Sequence, residues 1–491
     1  MNTSTQVLVI GGGPAGSTSA ALLAREGFDV TLIERDVFPR YHIGESLLPS
    51  CLEVLDLLGA REKVESYGFQ QKHGGYFAWG TEEWDLVFAK LRHPYSFQVV
   101  RSEFDHLLLK HAKSQGVKVF EGTEIRSLTF DGERPRSAIW SRVDGQKNGN
   151  KETGEIAFDY LIDASGRAGI MATRYLKSRH YHSAFQNVAL WGYWKGAKKL
   201  TKAPEGSIAV GSVQNGWIWG IPLHNGTMSV GLVTHKTTFK EKRQQGATPE
   251  EIYLEAIDEC PLIKGLIEDG ELVTKISAEQ DYSYMSDTFA GPGYFMTGDS
   301  ACFIDPLLST GVHLATFSAM LAAASLASVL RGEVPEEQAR AFYDQSYRHS
   351  YLRLMVIVSG LYQQYNGKAS YFWQAQELTH HDYEKSPDLN EAFLYVVSGV
   401  EDLLDTKDSI GGSTEAEVPQ QNGVEVLEHK YRQALTTPEQ YEEGSVARSQ
   451  LYNKVFMRFS LSPESAIDGL YVISKPRLGL ARVQSDLVTT S

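Results

Sequence analysis

Hydrophobic and polar positions at the start of the chain predict a strand, a tight turn and a helix. Residues 6–10 (QVLVI) form an apolar, partly β-branched run, GGGPAG follows, and residues 17–27 (STSAALLAREG) have helical spacing. A second apolar run at residues 29–35 (DVTLIER) predicts another strand. A helix between two strands is typical of a βαβ unit, in which the strands lie parallel.

Further along, the pattern changes between strand and helix periodicity. Segments that predict helices are residues 52–64 and 102–116, and segments that predict strands are residues 68–100, 117–122 and 158–166. The polar residues 144–155 predict an exposed hairpin tip. From about residue 180 to 290 the signals are mainly strand-like, with Asn225-Gly226 as a hairpin turn, and from Ser318 onward they are mostly helical.

This pattern predicts an α/β protein with four segments. Residues 1–180 and 291–335 form the βαβ-containing unit, and residues 181–290 form an inserted, mainly antiparallel sheet. Residues 336–491 form a mainly helical C-terminal region, in which the polar, Gly- and Ser-rich residues 405–423 predict a mobile loop.

Composition excludes several classes of protein. The chain of 491 residues has a formal net charge of −14, which disfavours general binding to nucleic acids or anionic membranes. Its three cysteines are far apart, and the adjacent His380 and His381 have no third ligand, so neither a disulfide framework nor a metal site is expected. The N-terminus has no signal-peptide layout and residues 314–330 are too short for a convincing membrane span. We expect a cytoplasmic protein.

The glycine-rich turn has the spacing of a dinucleotide-binding loop. Gly11, Gly13 and Gly16 form GxGxxG between a predicted strand and helix, and Glu34 ends the next strand 23 residues after Gly11. These glycines permit the turn, the approach of a pyrophosphate and close helix–strand packing, while the helix N-terminus favours phosphate charge. Glu34 would accept hydrogen bonds from ribose hydroxyls.

Two later stretches resemble the second and third signatures of the FAD-dependent monooxygenase family: DASGR at residues 163–167 and TGDSACFIDP at residues 297–306. The resemblance covers residues 5–330 and implies a Rossmann-type FAD-binding fold like that of aromatic hydroxylases. It places Asp299 at the ribityl chain, Arg101 near the phosphate and ribityl portion, and GESLLP, residues 44–49, at a cofactor position. The full implied FAD set is Gly11, Gly13, Pro14, Ala15, Gly16, Glu34, Arg35, Glu45, Ser46, Arg101, Asp299 and Gly311.

GWIWGIP, residues 216–222, resembles the signature of the FAD-dependent halogenases. Alternation places Trp217 and Trp219 on one strand face, and on these residues alone a packed sheet face is the simpler interpretation. The resemblance implies that Trp217, Trp219, Ile221 and Pro222 form a wall between flavin and substrate. A small oxidant would pass this wall and an aromatic substrate would not.

DPLLSTGVHLA, residues 305–315, also resembles the halogenases and implies a chloride site at Thr310 and Gly311. A helix N-terminus is suited to an anion, although Ser309 or Thr310 as an ordinary N-cap is an alternative that does not exclude it.

Lys72 lies in GFQQKHGGYFAWG, residues 68–80, where a lone lysine is usually a solvated surface charge. This segment resembles the halogenase subgroup that acts on phenols and pyrroles. The resemblance implies that Lys72 either hydrogen-bonds hypochlorous acid or forms a chloramine, and the second role needs a neutral, buried amine.

The implied activity is an FADH2-dependent halogenase that uses chloride, with bromide as the alternative halide. FADH2 would come from a separate flavin reductase, and the substrate would be a tyrosyl or pyrrolyl group on a carrier protein. The alternatives are an FAD-dependent aromatic hydroxylase and a flavoprotein that serves as a carrier-protein scaffold. Residues considered for an aromatic pocket or for the base, without a choice among them, are Tyr282, Tyr284, Phe372, Trp373, His73, Glu279 and Asp281.

Overall fold

The structure is a computed structural model that describes residues 3–80, 82–89, 93–143, 151–363, 463 and 466–483. The predicted pocket residues Phe372 and Trp373, the pair His380 and His381, and the predicted loop at 405–423 lie outside the described residues, as does most of the C-terminal region.

The described residues form strands, α-helices and short 3₁₀ and π turns. The strands are β1 (Ser4–Ile10), β2 (Val30–Ile33), β3 (Gln70–Lys72), β4 (Gly74–Trp79), β5 (Glu82–Val87), β6 (Ser96–Gln98), β7 (Lys118–Phe120), β8 (Thr123–Asp131), β9 (Arg134–Val143), β10 (Lys151–Asp163), β11 (Arg179–Lys195), β12 (Ile208–Val213), β13 (Gly216–Pro222), β14 (Thr227–His235), β15 (Glu271–Leu272), β16 (Ser277–Ser286), β17 (Ala290–Gly291), β18 (Tyr294–Met296), β19 (Cys302–Phe303), β20 (Leu470–Ile473) and β21 (Gly479–Arg482). The helices are α1 (Pro14–Arg25), α2 (Ser50–Leu58), α3 (Arg61–Glu65), α4 (Arg101–Ser114), α5 (Lys236–Gln244), α6 (Pro249–Asp258), α7 (Pro261–Ile267), α8 (Gly311–Leu330) and α9 (Glu336–Gln363).

The first sheet contains the βαβ unit. Its order is β17-β18-β10-β1-β2-β7, in which β18, β10, β1, β2 and β7 are parallel neighbours, and β9 and β8 extend antiparallel from β10. Helix α1 connects β1 to β2 and is covered by α8 and α4. The predicted strand–turn–helix–strand start is therefore confirmed.

The second sheet is mainly antiparallel, with the order β19-β16-β11-β14-β13-β12-β4-β5 and β15 beside β11. It takes β4, β5 and β19 from outside residues 181–290, and β12 pairs with β4 in parallel. The sheet thus joins the segment around Lys72 to the strand that carries both tryptophans.

The expectation of mainly strands between residues 180 and 290 was wrong for residues 236–267, which form α5, α6 and α7. Thr248 and Glu251 form a capping box at the start of α6, and prolines occupy the first turns of α6 and α7. The helix predicted at 52–64 is divided in two, because Gly59 adopts a φ of 68° after α2. Residues 151–155, predicted within a hairpin tip, begin β10 and pair with β9.

Helix α8 lies in the core of the protein. It packs against α1, α2, α9 and the β20–β21 hairpin. Among the described residues it is the one helix long and apolar enough to span a membrane, with a hydropathy of 1.6, but 94% of that apolar window is buried inside the protein. Its apolar character on all sides is explained by this burial.

Candidate functional site

A large open cavity of about 480 Å³ lies between the two sheets and the N-terminus of α8. Most of the predicted cofactor residues line it: Gly11, Gly13, Pro14, Ala15, Glu34, Arg35, Glu45, Ser46, Arg101, Asp299 and Gly311. Gly16 is not on the lining surface. A Cβ at Gly16 would lie 1.9 Å from the carbonyl oxygen of Gly11, so its role is the close packing of helix on strand.

The glycine loop leaves an anion-binding surface at one end of the cavity. Gly11 has a φ of 107°, and an added Cβ would lie 2.2 Å from the Ala164 carbonyl oxygen. Helix α1 starts after Gly13 without a side-chain cap and without an acidic residue in its first turn. Its first N–H groups are therefore available to a phosphate group.

Glu34 and Arg35 lie on the rim of the same end. The Glu34 carboxylate is buried, and it accepts hydrogen bonds from the Gly12 N–H at 2.6 Å and the Asp36 N–H at 2.7 Å. The Arg35 side chain is largely exposed and pairs with Asp36 at 3.4 Å. Glu34 is thus held at the strand end, next to the glycine loop, as its spacing predicts.

Two arginines place positive charge on the cavity lining. Arg101 and Arg40 both bind the fully buried Asp105 carboxylate, Arg101 through two bonds of 2.8 and 3.0 Å and Arg40 through one of 2.9 Å. Arg40 Nη2 lies 3.4 Å from the position of a Cβ on Gly13. The sequence analysis missed Arg40, because no motif surrounds it and its partner Asp105 lies on α4, 65 residues later.

Asp299 lies near the middle of the cavity, in the turn after β18. Burial raises the pKa of Asp299 to about 6, although the charges of Arg167, Arg101 and Arg179 oppose the shift. Tyr284, considered above for a substrate pocket, donates a hydrogen bond to the Asp299 carbonyl oxygen at 2.7 Å. Tyr284 is therefore part of the packing on the cofactor side.

The base candidates are not brought together. Glu279 lines the cofactor cavity and pairs with Arg167 at 2.7 Å. His73 follows β3, and its ring faces Tyr95 with the ring centroids 6.1 Å apart. Asp281 lies on β16.

Strand β13 presents a wall of aromatic rings to the cavity. Trp217, Trp219 and Ile221 line it, whereas Pro222 ends the strand outside the lining. The two indole rings lie 5.9 Å apart at 53°, so alternation predicted their shared face correctly. Gly220, on the opposite face, lies against Ile263 of α7.

Both indole rings are fixed by hydrogen bonds and packing. Trp217 Nε1 donates to the Tyr362 hydroxyl at 2.7 Å, and Trp219 Nε1 donates to Ser229 Oγ at 3.2 Å. Trp219 also lies flat on Gly231, where an added Cβ would come within 2.1 Å of the ring. These contacts fix the wall in place, because Ser229 and Gly231 belong to β14 and Tyr362 belongs to α9.

The N-terminus of α8 meets the cavity at Ser309, Thr310 and Gly311. Ser309 has a φ of 59°, an uncommon conformation for a residue other than glycine. Thr310 occupies the N-cap position without capping the helix through its side chain, and its fully buried Oγ1 has no hydrogen-bond partner among the described residues. This unpartnered hydroxyl and the free N–H groups of a 20-residue helix suit a small anion.

Lys72 is buried, so the interpretation as a solvated surface charge is wrong. Its Nζ donates to Ser46 Oγ at 2.8 Å and to the Leu47 carbonyl oxygen at 3.1 Å, and it lies 5.6 Å from the centre of the Phe88 ring. Since Ser46 lines the cavity, the amine lies one side chain behind the cavity wall. Burial lowers the pKa of Lys72 to about 7.

A buried pair of side chains connects the chloride-site candidate to the Lys72 region. Ser50 Oγ and His313 Nδ1 lie 2.8 Å apart, and burial lowers the pKa of His313 to about 4. His313 is three residues after Thr310, and Ser50 begins α2, directly after GESLLP. Neither residue was predicted as functional, although His313 lies within DPLLSTGVHLA and Ser50 directly follows GESLLP.

Comparison with known proteins agrees with this geometry. A family model described as an FAD binding domain matches residues 4–350. A tryptophan 2-halogenase of Chondromyces crocatus is 48% identical over 506 residues, which cover 98% of this chain and 94% of that protein. The flavin-dependent halogenase armH2 of Armillaria mellea is 40% identical over 388 residues, 75% of this chain and 74% of that protein. The solved structure of the myxobacterial chondrochloren halogenase CndH has a TM-score of 0.71 and 33% identity, and the match covers 87% of this chain and 97% of that chain.

The α/β fold and its cavity define a flavoprotein enzyme with an FAD-binding domain. Within that class, the chain belongs to the flavin-dependent halogenases, enzymes that use FAD and a halide ion.

Proposed function

We propose that this halogenase oxidises chloride, or alternatively bromide, at the N-terminus of α8 and transfers the resulting hypohalous acid to Lys72 for electrophilic halogenation of an aromatic ring. The observation that carries the proposal is the buried Lys72 amine, which lies directly behind the wall of the cofactor cavity.

The residues around the cavity fit FAD. The glycine loop, the N-terminus of α1, Arg40 and Arg101 would hold the pyrophosphate, Glu34 the ribose, and Asp299 the ribityl chain. Reduced FAD would activate dioxygen so that a halide ion is oxidised to hypohalous acid. A separate flavin reductase would supply the reduced cofactor.

Thr310 and Gly311 would hold the halide ion. The unpartnered Thr310 hydroxyl donates one hydrogen bond to the anion, and the first N–H groups of α8 donate the others. The cost of leaving a buried hydroxyl unpaired is removed when the ion binds.

Lys72 would accept the halogen as a neutral amine. In this step Nζ attacks the chlorine of hypochlorous acid, an N–Cl bond forms, the Cl–O bond breaks, and the amine proton and the hydroxide leave as water. The hydrogen-bond partners of Nζ among the described residues, Ser46 Oγ and the Leu47 carbonyl oxygen, are uncharged, and burial depresses the pKa of Lys72, so a large neutral fraction exists near pH 7. The aromatic ring then takes the chlorine from nitrogen and loses a ring proton.

Trp217, Trp219 and Ile221 would separate the two half-reactions. Their rings exclude a flat aromatic substrate from the flavin, whereas hypohalous acid is small enough to pass. This separation favours halogenation over hydroxylation, the alternative activity for the fold.

The acceptor is an electron-rich aromatic ring, with two candidate classes. The segment around Lys72 supports a phenolic or pyrrolyl group on a carrier protein. The 48% identity to a tryptophan 2-halogenase supports an indole.

The experiment supplies FADH2 from a separate flavin reductase and compares free tryptophan with a tyrosyl-loaded carrier protein, each with and without chloride. When chloride is present, we expect one of the two acceptors to gain a chlorine atom, which is seen as the chlorine isotope pattern in the mass of the product. Oxygen incorporation that is independent of halide would instead identify a hydroxylase.

A further inference from the structure

A chain of hydrogen bonds connects an exposed tyrosine on the cavity lining to a buried carboxyl group in the same lining. The hydroxyl groups of Tyr41 and Tyr193 lie 2.9 Å apart, and Tyr193 donates to Glu45 Oε1 at 2.7 Å. Trp191 Nε1 donates to the Tyr41 hydroxyl. These residues come from the loop after β2 and from β11, about 150 positions apart in the sequence.

While Glu45 is a carboxylate, the direction of this chain is set. The single hydroxyl proton of Tyr193 is directed at Glu45, so Tyr193 accepts from Tyr41, and Tyr41 in turn accepts from the indole of Trp191. Every donor therefore points toward the Glu45 carboxyl group. Such an aligned chain can pass a proton inward when each oxygen hands on its hydrogen.

The two ends differ in their exposure to water. Both residues line the cofactor cavity, but Tyr41 is 57% exposed, whereas Glu45 is 2% exposed. Burial raises the pKa of Glu45 to about 7, although hydrogen bonds from Ser229 and Tyr193 and the charge of Arg101 lower it. Glu45 can therefore hold or release a proton near neutral pH, as a proton-transfer group requires.

We propose that Tyr41, Tyr193 and Glu45 form a proton path from the exposed Tyr41 to the buried Glu45 carboxyl group, with Glu45 releasing the proton that halide oxidation consumes. The proposal rests on the proposed function. Reduced flavin, dioxygen, chloride and one proton give oxidised flavin, hypochlorous acid and one water, so each turnover consumes one proton in the cavity. Transfer of chlorine to the ring consumes no further proton.

The first test uses the cofactor-free protein and the 13C NMR signal of the Glu45 carboxyl carbon, titrated between pH 4 and 10. The groups that face Glu45 are Tyr193, Tyr41, Ser229 and Arg101, and Glu279 also acts on Tyr41. Tyr193→Phe removes a hydrogen bond to the carboxylate, so the Glu45 pKa should rise further. Tyr41→Phe, which does not touch Glu45, should leave that pKa nearly unchanged.

The second test measures chloride-dependent oxidation of enzyme-bound FADH2, with hypochlorous acid trapped by taurine so that no organic acceptor is needed. Both Tyr41→Phe and Tyr193→Phe should slow this step by about 10-fold or more and increase its solvent deuterium isotope effect, while FAD binding is retained. Tyr253→Phe is the matched control, because it removes a buried hydroxyl that bonds Trp194 in the second core cluster, away from the cavity.

The two arms separate the possible failures. Wild-type enzyme that yields neither trapped hypochlorous acid nor a chlorinated acceptor would refute the proposed function, while the carboxyl titration still reports on the Tyr193–Glu45 contact. An unaltered rate and isotope effect in both tyrosine variants, with normal trapping by the wild type, would refute the proton path alone.

Discussion

At the scale of single residues, burial decides what Lys72 can do. An exposed lysine carries a positive charge and is a poor nucleophile at neutral pH, whereas the 3% exposure of Lys72 favours the neutral amine. Its two hydrogen bonds use two amine hydrogens and leave the nitrogen lone pair free. The geometry therefore supports the chloramine role more directly than the role of a cationic hydrogen-bond donor.

Lys72→Met removes the amine and keeps the length of the side chain. We expect FAD affinity to change little, because Lys72 does not line the cavity, and chlorinated product to fall by about 100-fold or more. In the wild type, the yield of product per flavin oxidised should rise as the pH increases through about 7, since the lowered pKa of Lys72 makes the amine neutral above that value. The measurement is product mass against flavin absorbance, from pH 6 to 9.

If the yield of product per flavin oxidised falls over the same pH range, Lys72 acts instead as a cationic hydrogen-bond donor. Full activity in Lys72→Met would remove it from the mechanism.

Residues with local signals were predictable from the sequence, and those defined by distant contacts were not. Gly11, Gly13 and Glu34 lie within 24 residues of one another, and their strand–turn–helix setting predicted that they belong to one dinucleotide-binding site. All three line the same cavity. Arg40 and Tyr193 carry no motif, because their partners Asp105 and Glu45 are 65 and 148 positions away.

At the scale of elements, helix α8 combines two requirements. The body of the helix is buried on all sides. Its N-terminus lies at the cavity, where the Thr310 hydroxyl has no hydrogen-bond partner among the described residues. An ordinary N-cap would have paired the side chain with the first turn. The missing bond therefore leaves the hydroxyl and the N–H groups for a ligand.

Thr310→Val should raise the KM for chloride by about 10-fold, because the anion loses one hydrogen bond from a buried hydroxyl. The thermal stability of the cofactor-free protein should not fall, since the substitution removes a buried group that is already unpaired. Steady-state halide titration and thermal unfolding measure the two effects.

Ser325→Ala is the matched control, because Ser325 is on the same helix, is fully buried and also has an unpartnered hydroxyl. A chloride KM that shifts equally in both variants would argue against a halide site at Thr310.

The helices α5 to α7 show why the strand prediction for residues 236–267 was wrong. The surrounding strands dominated the hydrophobic pattern, and the polar sequence of α5 has no apolar face of helical spacing. The stronger signals were local: Thr248-Pro249 with Glu251, and Pro261 at the start of α7. Capping residues therefore identify these helices where periodicity does not.

At the scale of the whole molecule, the chain returns to the nucleotide-binding unit near its end. The β20–β21 hairpin packs on α8, and the Leu480 N–H donates to Ser328 Oγ at 2.8 Å. Glu26, after α1, accepts from the Leu478 N–H at 3.0 Å and from Arg331 at 3.1 Å. The hairpin thus connects α1 and α8, and the N-termini of both helices line the cavity.

Leu480→Ala should lower the free energy of unfolding by about 2–4 kcal/mol, because it creates a cavity at a side chain that is 5% exposed. Val483→Ala, at a 37% exposed position of the same segment, should change it little. Chemical denaturation of both variants makes the comparison, and equal stabilities would show that the hairpin does not support the fold.

The overall architecture was predictable as a class, but its assembly was not. The order of motifs predicted an α/β FAD-binding fold with a mainly antiparallel sheet, and both are present. The sequence did not indicate that β4 and β5 would join that sheet, because pairing of β4 with β12 depends on residues about 130 positions apart. This pairing places β4, which starts two residues after Lys72, in the same sheet as the strand that carries both tryptophans.

The contact between Trp219 and Gly231 has a consequence for anyone who wishes to redesign this enzyme. The indole occupies the space that any side chain at position 231 would need, so positions 219 and 231 have to be changed together. Libraries that vary the tryptophan alone would only create gaps in the barrier, whereas paired changes on both strands could reshape the barrier and keep it closed.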